Sequence, residues 1–184
     1  VNHAEQDHAG SLPVLLELYP GATVCCTKKC QELLQTLLDI PANRCRIVED
    51  RERLPLGDIT LEFISAPWVH WPETMLTYCP EKEILFPCDL FGSHYATSDL
   101  FLQDMAREEI LAKRYYGEIM MPFRSSIAKY LALVRELKIG IIAPSHGPLI
   151  RPPSLILDLY SEWTSDRVKN SVLIPYVSMH GSTA

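Results

Sequence analysis

The chain has 184 residues, a net charge of −6 at neutral pH and 47% hydrophobic side chains. That length suits one domain of ordinary globular composition, and an acidic balance without a Lys/Arg run argues against nucleic acid as a partner. No apolar run reaches the ~18 residues of a membrane span, and the opening Val1-Asn2-His3-Ala4-Glu5 lacks the basic and apolar regions of a signal peptide, so the cytoplasm is the expected compartment.

Val1–Gly10 is too polar and too crowded with ligand-type side chains for a core element. A short helix is predicted next, with Ser11 as its cap, Pro13 in its first turn and Leu15, Leu16 and Leu18 as its apolar face. Thr23–Cys26 reads as a short buried strand, which puts Cys25 and Cys26 on opposite faces. Lys28–Leu38 reads as an amphipathic helix, apolar at Leu33, Leu34, Leu37 and Leu38 and stopped by Pro41. Arg46–Val48 is a short strand. Asp58–Ser65 follows the turn residue Gly57 and alternates Ile59, Leu61, Phe63 and Ser65 against Thr60, Glu62 and Ile64. Met75–Cys79 and Glu83–Pro87 form a hairpin around Pro80-Glu81-Lys82. Ser98-Asp99 opens a helical region that runs to the neighbourhood of Lys138, with a break near Pro122. Ile139–Ala143 is a continuous apolar strand. Ser154–Lys169 is a helix with Leu155, Leu159 and Trp163 on one face, and Ser171–Val177 is a last apolar strand. This mixture predicts a layered α/β (α+β) domain. The six cysteines, Cys25, Cys26, Cys30, Cys45, Cys79 and Cys88, form no C-x-x-C pair, and free thiols are expected in a reducing compartment.

Chemistry concentrates in His3-Ala4-Glu5-Gln6-Asp7-His8, where four ligand-type side chains fall within six residues. A loop leading into a helix can aim all of them at one place. One metal could use two or three, so four suggest two metals. Imidazole and carboxylate suit Fe, Zn or Mn. His70, Asp89 and His146 each sit just past the C-terminal end of an apolar strand, where layered folds containing sheets commonly place their sites. Asp89 suits a bridging role. A carboxylate can give one oxygen to each of two cations, which lie ~3.5–4 Å apart in catalytic pairs, whereas an imidazole must lose a second proton to bridge.

This order, His-x-Glu-x-Asp-His followed by His70, Asp89 and His146, resembles the metallo-β-lactamase superfamily, and within it the flavodiiron proteins (A-type flavoproteins). Further stretches are similar to that family: Asn2-His3-Ala4-Glu5, Gly10-Ser11-Leu12-Pro13, Trp68-Val69-His70-Trp71-Pro72-Glu73-Thr74-Met75, Lys113-Arg114-Tyr115-Tyr116 and Pro144-Ser145-His146-Gly147-Pro148. The resemblance implies a metallo-β-lactamase-like αββα sandwich over residues 1–169, incomplete at its N-terminus. Residues 170–184 would open a truncated flavodoxin-like domain, with Ser178, Met179, His180, Gly181, Ser182 and Thr183 as an FMN phosphate loop. Both ends of the chain therefore read as cut from a longer protein.

The same resemblance implies two irons, one held by His3, Glu5 and His70 and the other by Asp7, His8 and His146, with Asp89 between them. Asp7 can ligate while His8 turns away, so His8 is the position it fixes least. It further implies reduction of O2 to water or of NO to N2O, with electrons passing through FMN from a rubredoxin-like or other donor, in a head-to-tail homodimer or a tetramer. A dinuclear zinc hydrolase of the same fold is the rival. Such hydrolases usually show His-x-His-x-Asp-His, and Glu5 in the second position adds the negative charge and hardness that favour iron. A third reading is a non-enzymatic remnant with ligands but no electron path. His94 is expected near the surface or beside the ligands, Trp68 and Trp71 as pocket walls, and Tyr115 and Tyr116 as helix packing.

Overall fold

Alternation along the strands sorts the apolar side chains into three separate cores. A computed structural model describes residues 1–167 together with Val172, Val177, Ser178, His180 and Gly181. Its smaller sheet pairs β1 (Val24–Cys26) with β2 (Cys45–Ile47) in parallel. The larger sheet runs β3 (Arg53–Leu56), β4 (Ile59–Ser65), β5 (Met75–Cys79), β6 (Ile84–Phe86) and β7 (Ile141–Ile142), antiparallel except for the β6–β7 pair.

One face of the larger sheet gives Ile64, Leu76, Tyr78, Leu85 and Ile142 to the main core. Helices α4 (Met105–Tyr115), α5 (Arg124–Arg135) and α6 (Ser154–Trp163) close that core with Ala112, Ile127, Leu131, Val134, Ile156 and Tyr160. The opposite face turns Leu61, Phe63 and Met75 toward Cys25 and Val48, which fills the space between the two sheets. Val24 and Cys26 point the other way, onto Leu16 of α2 (Leu12–Leu18) and Cys30 and Leu34 of α3 (Lys28–Leu38). Helices, sheet, sheet and helices in that order make the expected αββα sandwich. Cys25 and Cys26 lie on opposite faces of β1, and all six thiols are free.

Several local expectations differ from the structure. Ser11 has helical backbone angles and its side chain makes no capping bond. Of the expected apolar face of α2 only Leu16 is buried, while Leu15 and Leu18 are exposed. β3 was not anticipated, because Arg53 and Pro55 disguise an edge strand that pairs with β4 on one side only. Thr27 caps α3 through Cys30 N–H, and the helix stops at Asp39 in the left-handed conformation, before Pro41 is reached. The long helical region begins at Met105, where the Asp104 carboxylate accepts Arg107 N–H at 3.0 Å. Ser98 and Asp99 cannot start it, because the backbone just beyond them pairs with Leu149. The break before Pro122 is a wide π-helical turn over Tyr116–Met120. On α6 the fully packed side chains are Ile156, Leu157 and Tyr160, with Leu155, Leu159 and Trp163 half-buried beside them. The helix expected to run to Lys169 stops at Trp163, where Thr164 N–H closes it on Tyr160 O at 2.9 Å, and the expected strand Ser171–Val177 lies outside the described residues, apart from the exposed Val172 and Val177. No helix among the described residues is long and apolar enough to cross a membrane.

Leu85 is 0% exposed on β6, an interior strand of the larger sheet. Leu85→Ala is expected to lower the unfolding free energy by about 2–5 kcal/mol, read as a lower urea midpoint at unchanged slope. Leu15→Ala, on the exposed side of α2, is expected to stay within about 0.5 kcal/mol of the parent.

Candidate metal centre

Strand direction explains how residues far apart in sequence meet. β4 and β6 are each antiparallel to β5, and β7 is parallel to β6. The C-terminal ends of β4, β6 and β7 therefore open on one edge, into the loops that carry His70, Asp89 and His146. These loops are stitched together by their backbones. Ser145 N–H donates to Cys88 O at 2.9 Å and Ser93 N–H to His146 O at 3.1 Å. Cys88 and Phe91 take left-handed φ angles of 58° and 71° around Asp89. The fourth contributor is the segment before α1 (Gln6–Ala9), which Asn2 ties to β5 and β6. Met75 N–H donates to Asn2 O at 3.0 Å, Thr77 Oγ1 donates to Asn2 Oδ1 at 2.7 Å, and Asn2 Nδ2 donates to Phe86 O at 3.1 Å. The single turn of α1 starts at Glu5, whose carbonyl accepts His8 and Ala9 N–H, and it brings Asp7 and His8, consecutive on that turn, to the site.

All seven sequence-predicted ligands converge. Asp89 Oδ2 lies 3.5 Å from His3 Nε2 and 3.3 Å from His70 Nε2, and Glu5 Oε2 closes that group at 3.0 and 3.4 Å from the same two nitrogens. Asp89 Oδ1 lies 3.0 Å from His8 Nε2 and 3.2 Å from His146 Nε2. Asp7 completes the second group at 3.4 and 3.2 Å. His8 is turned inward, not away. Each oxygen of Asp89 thus serves a separate set of two imidazoles and one carboxylate. Asp89 Oδ1, Oδ2 and His8 Nε2 are buried without a hydrogen-bond partner among the described residues. They are close enough for hydrogen bonds yet not aligned for them, because they point toward shared points between the groups. Two cations at those points would satisfy all three of these atoms, so the residues fit a dinuclear metal centre.

The electrostatics of the metal-free chain agree. Burial works to raise the Asp89 carboxyl, but the imidazoles of His70, His8 and His3 outweigh it and hold the group well below the usual carboxylate range. Asp89, then the Cys88 thiol, push His8 up to about 10. Burial works to lower His3, and Glu73, Asp89 and Glu5 together overcome it and raise the ring.

Trp71 meets His3 edge-on at 4.9 Å and Phe123 lies 6.2 Å from His70. Trp68 is 55% exposed and does not wall the pocket. Its φ of 65° turns the chain at the tip of the His70 loop. His94 is exposed, with its ring 5.9 Å from that of His146. Tyr115 is more than helix packing. It ends α4 buried against His94 at 4.9 Å and His146 at 6.1 Å, and burial with nearby Asp89 drives its hydroxyl far up. Sequence reasoning also missed Glu73, which is 2% exposed and accepts from His3 Nδ1 at 2.7 Å and Ala4 N–H at 3.0 Å. The available signal was a lone acid in the otherwise apolar run from Ala66 to Leu76. Of the expected FMN loop, Met179, Ser182 and Thr183 lie outside the described residues, and Gly181 has a left-handed φ of 70°.

The fold and its two His/carboxylate groups define a metallo-β-lactamase-like domain. Residues 1–147 match the family model described as ODP family beta lactamase, and the chain belongs to that family. It is 39% identical to a nitric oxide reductase from Moorella thermoacetica, over 100% of this chain and 47% of the relative. The flavodiiron protein from Giardia intestinalis superposes with a TM-score of 0.84 at 38% identity, covering 89% of this chain and 41% of that one. Rubredoxin oxygen:oxidoreductase from Desulfovibrio gigas also gives 0.84, at 25% identity, over 89% of this chain and 42% of that one. The chain spans about half the length of the curated relatives it matches.

Gly147 follows His146 with φ 88°, and a Cβ there would lie 2.5 Å from Ser93 Oγ and 3.2 Å from Ser93 O. Gly147→Ala is expected to cost about 1–3 kcal/mol in a urea titration and to displace the His146 ring from Asp89 in the variant's crystal structure. Gly117→Ala, where nothing lies within 4 Å, is the control.

Proposed function

We propose that this chain is the diiron-bearing part of a flavodiiron oxidoreductase that reduces O2 to water or NO to N2O. The observation that carries the reading is Asp89, buried and offering one oxygen to each of two groups that contain both imidazole and carboxylate. His3, Glu5 and His70 would hold one iron and Asp7, His8 and His146 the other. Glu5, Asp7 and Asp89 supply three negative charges against the four of two ferrous ions, a near-balance that tolerates oxidation better than an all-imidazole first group. When bound, the pair supplies the electrons and open coordination positions that diatomic reduction needs. The protein's residues orient the ligands through Asn2 and the stitched loops, and Trp71, Phe123 and Tyr115 keep the imidazole side apolar and free of bulk water.

Both substrates are supported by relatives, one named a nitric oxide reductase and another a rubredoxin oxygen:oxidoreductase. In the whole protein, residues 1–169 form the metallo-β-lactamase-like domain and residues 170–184 begin the flavodoxin-like domain whose loop, Ser178–Thr183, meets the FMN phosphate. A rubredoxin-like or other donor feeds that FMN, and head-to-tail pairing of two copies brings it to a partner's irons in the cytoplasm. The zinc-hydrolase alternative is disfavoured by Glu5, whose carboxylate stands where that class carries an imidazole.

Elemental analysis of the complete protein, purified without oxygen from cells supplied with both iron and zinc, is expected to give two irons per chain and a bound flavin. Zinc without iron would overturn the reading. Glu5→His, which restores the hydrolase pattern His-x-His-x-Asp-His, is expected to shift the iron-to-zinc ratio in the same analysis toward zinc.

A further inference from the structure

We propose that Glu73 is the positioning residue of this centre. Its carboxylate holds the His3 ring with Nδ1 protonated and Nε2 facing the metal, and it makes the two metal positions electronically unequal. This rests on the diiron reading above and goes beyond it in assigning a role to a residue that is not a ligand.

The argument begins with donors and acceptors. A carboxylate can only accept, so the 2.7 Å contact between Glu73 Oε1 and His3 Nδ1 requires the proton on Nδ1. In a neutral ring the lone pair is then on Nε2, which faces Glu5 Oε2 at 3.0 Å and Asp89 Oδ2 at 3.5 Å. Three acceptors facing one another at these distances are stable only around a cation. The tautomer that Glu73 enforces is therefore the one that makes a cation necessary. The reverse tautomer would donate from Nε2 to Glu5 and leave Nδ1 against a buried anion.

Glu73 is itself held rigidly. Its Oε1 also takes Ala4 N–H at 3.0 Å, and its carbonyl accepts from Thr27 Oγ1 at 3.0 Å. It sits three residues beyond His70 on the same loop, so one loop supplies a ligand and orients another. Its Oε2 is buried with no hydrogen-bond partner among the described residues. That oxygen keeps its charge close to His3 instead of sharing it with a donor elsewhere. Among the described residues no carboxylate is bonded to an imidazole Nδ1 of the second group, where His8 Nδ1 faces the Cys88 sulfur at 4.0 Å. An imidazole bonded to a carboxylate is a stronger electron donor than one facing a thiol. The metal at His3, Glu5 and His70 is accordingly the harder of the two to reduce.

The test uses the complete, iron-loaded protein with Glu73→Leu, Glu73→Gln and, as a control for loss of another buried acid that is bonded to no histidine, Glu108→Gln. Iron affinity is read by chelator competition, the two iron environments by Mössbauer spectroscopy, the iron potentials by redox titration, and the fold by near-ultraviolet circular dichroism. Glu73→Leu is expected to weaken binding of one iron by ~10–100-fold with the fold intact. Glu73→Gln keeps an acceptor for Nδ1–H, so it is expected to hold both irons, with one potential raised and the two Mössbauer environments more alike. Glu108→Gln is expected to match the parent. Parent-like iron affinity in Glu73→Leu would overturn the proposal. So would a Glu73→Gln protein with unchanged potentials and spectrum, whatever the fate of the leucine variant. A parent protein that fails to take up two irons would instead overturn the diiron reading itself.

Discussion

A carboxylate buried to 1% exposure cannot stand alone, and the rest of the site is arranged around Asp89 for that reason. Removing an anion from water costs several kcal/mol even after the protein relaxes. The chain answers with four imidazoles, two for each oxygen, drawn from two loops and the N-terminal motif. The four Nε2 atoms face Asp89 without forming hydrogen bonds to it, an arrangement that positive charge between the rings and the carboxylate satisfies.

The sheet makes this convergence possible. Because β4, β6 and β7 share a direction, three loops leave the same edge, and the parallel β6–β7 pair sets Asp89 beside His146 before any side chain is considered. The backbone bonds from Ser145 to Cys88 and from Ser93 to His146 then turn two adjacent loops into one rigid unit. The layers beneath are bound to the same residues. Leu85 anchors the main core and its carbonyl accepts Ala143 N–H at 2.8 Å, so packing of β6 and the course of the His146 loop are one structural fact.

Much of this was legible in the sequence. Each of the seven ligand-type residues follows either a strand end or the polar N-terminal motif, and local pattern marks both. The αββα layering was legible from the resemblance, and the opposed faces of Cys25 and Cys26 from strand geometry alone. What escaped depended on tertiary partners. β3 hides behind Pro55 and Arg53 because an edge strand needs only one neighbour. The start of α4 was displaced to Asp104 because the residues after Asp99 were recruited to pair with Leu149, a contact 48 positions away along the chain. Leu15 and Leu18 have the right spacing for a buried face, but the helix is short and only Leu16 reaches the core. Glu73 and Tyr115 lie in stretches that resemble the family, yet nothing local distinguishes an acid that orients a histidine from one that faces water.

The exposure of the ligands follows their chemistry. Glu5 and Asp7 are the most open, with side chains 39% and 50% exposed, while His3 and Asp89 are at 0% and 2%. His3 and the shared carboxylate thus form a dry floor, and the two unshared carboxylates form a rim beside Leu37 and Trp71, where a cavity of about 330 Å³ opens. A rim of hard anions suits cations that change oxidation state there, since it stabilises the higher charge most where solvent can also help. Beneath this rim the two groups differ in what their buried imidazoles lean on, His3 on the Glu73 carboxylate at 2.7 Å and His8 on the Cys88 sulfur at 4.0 Å.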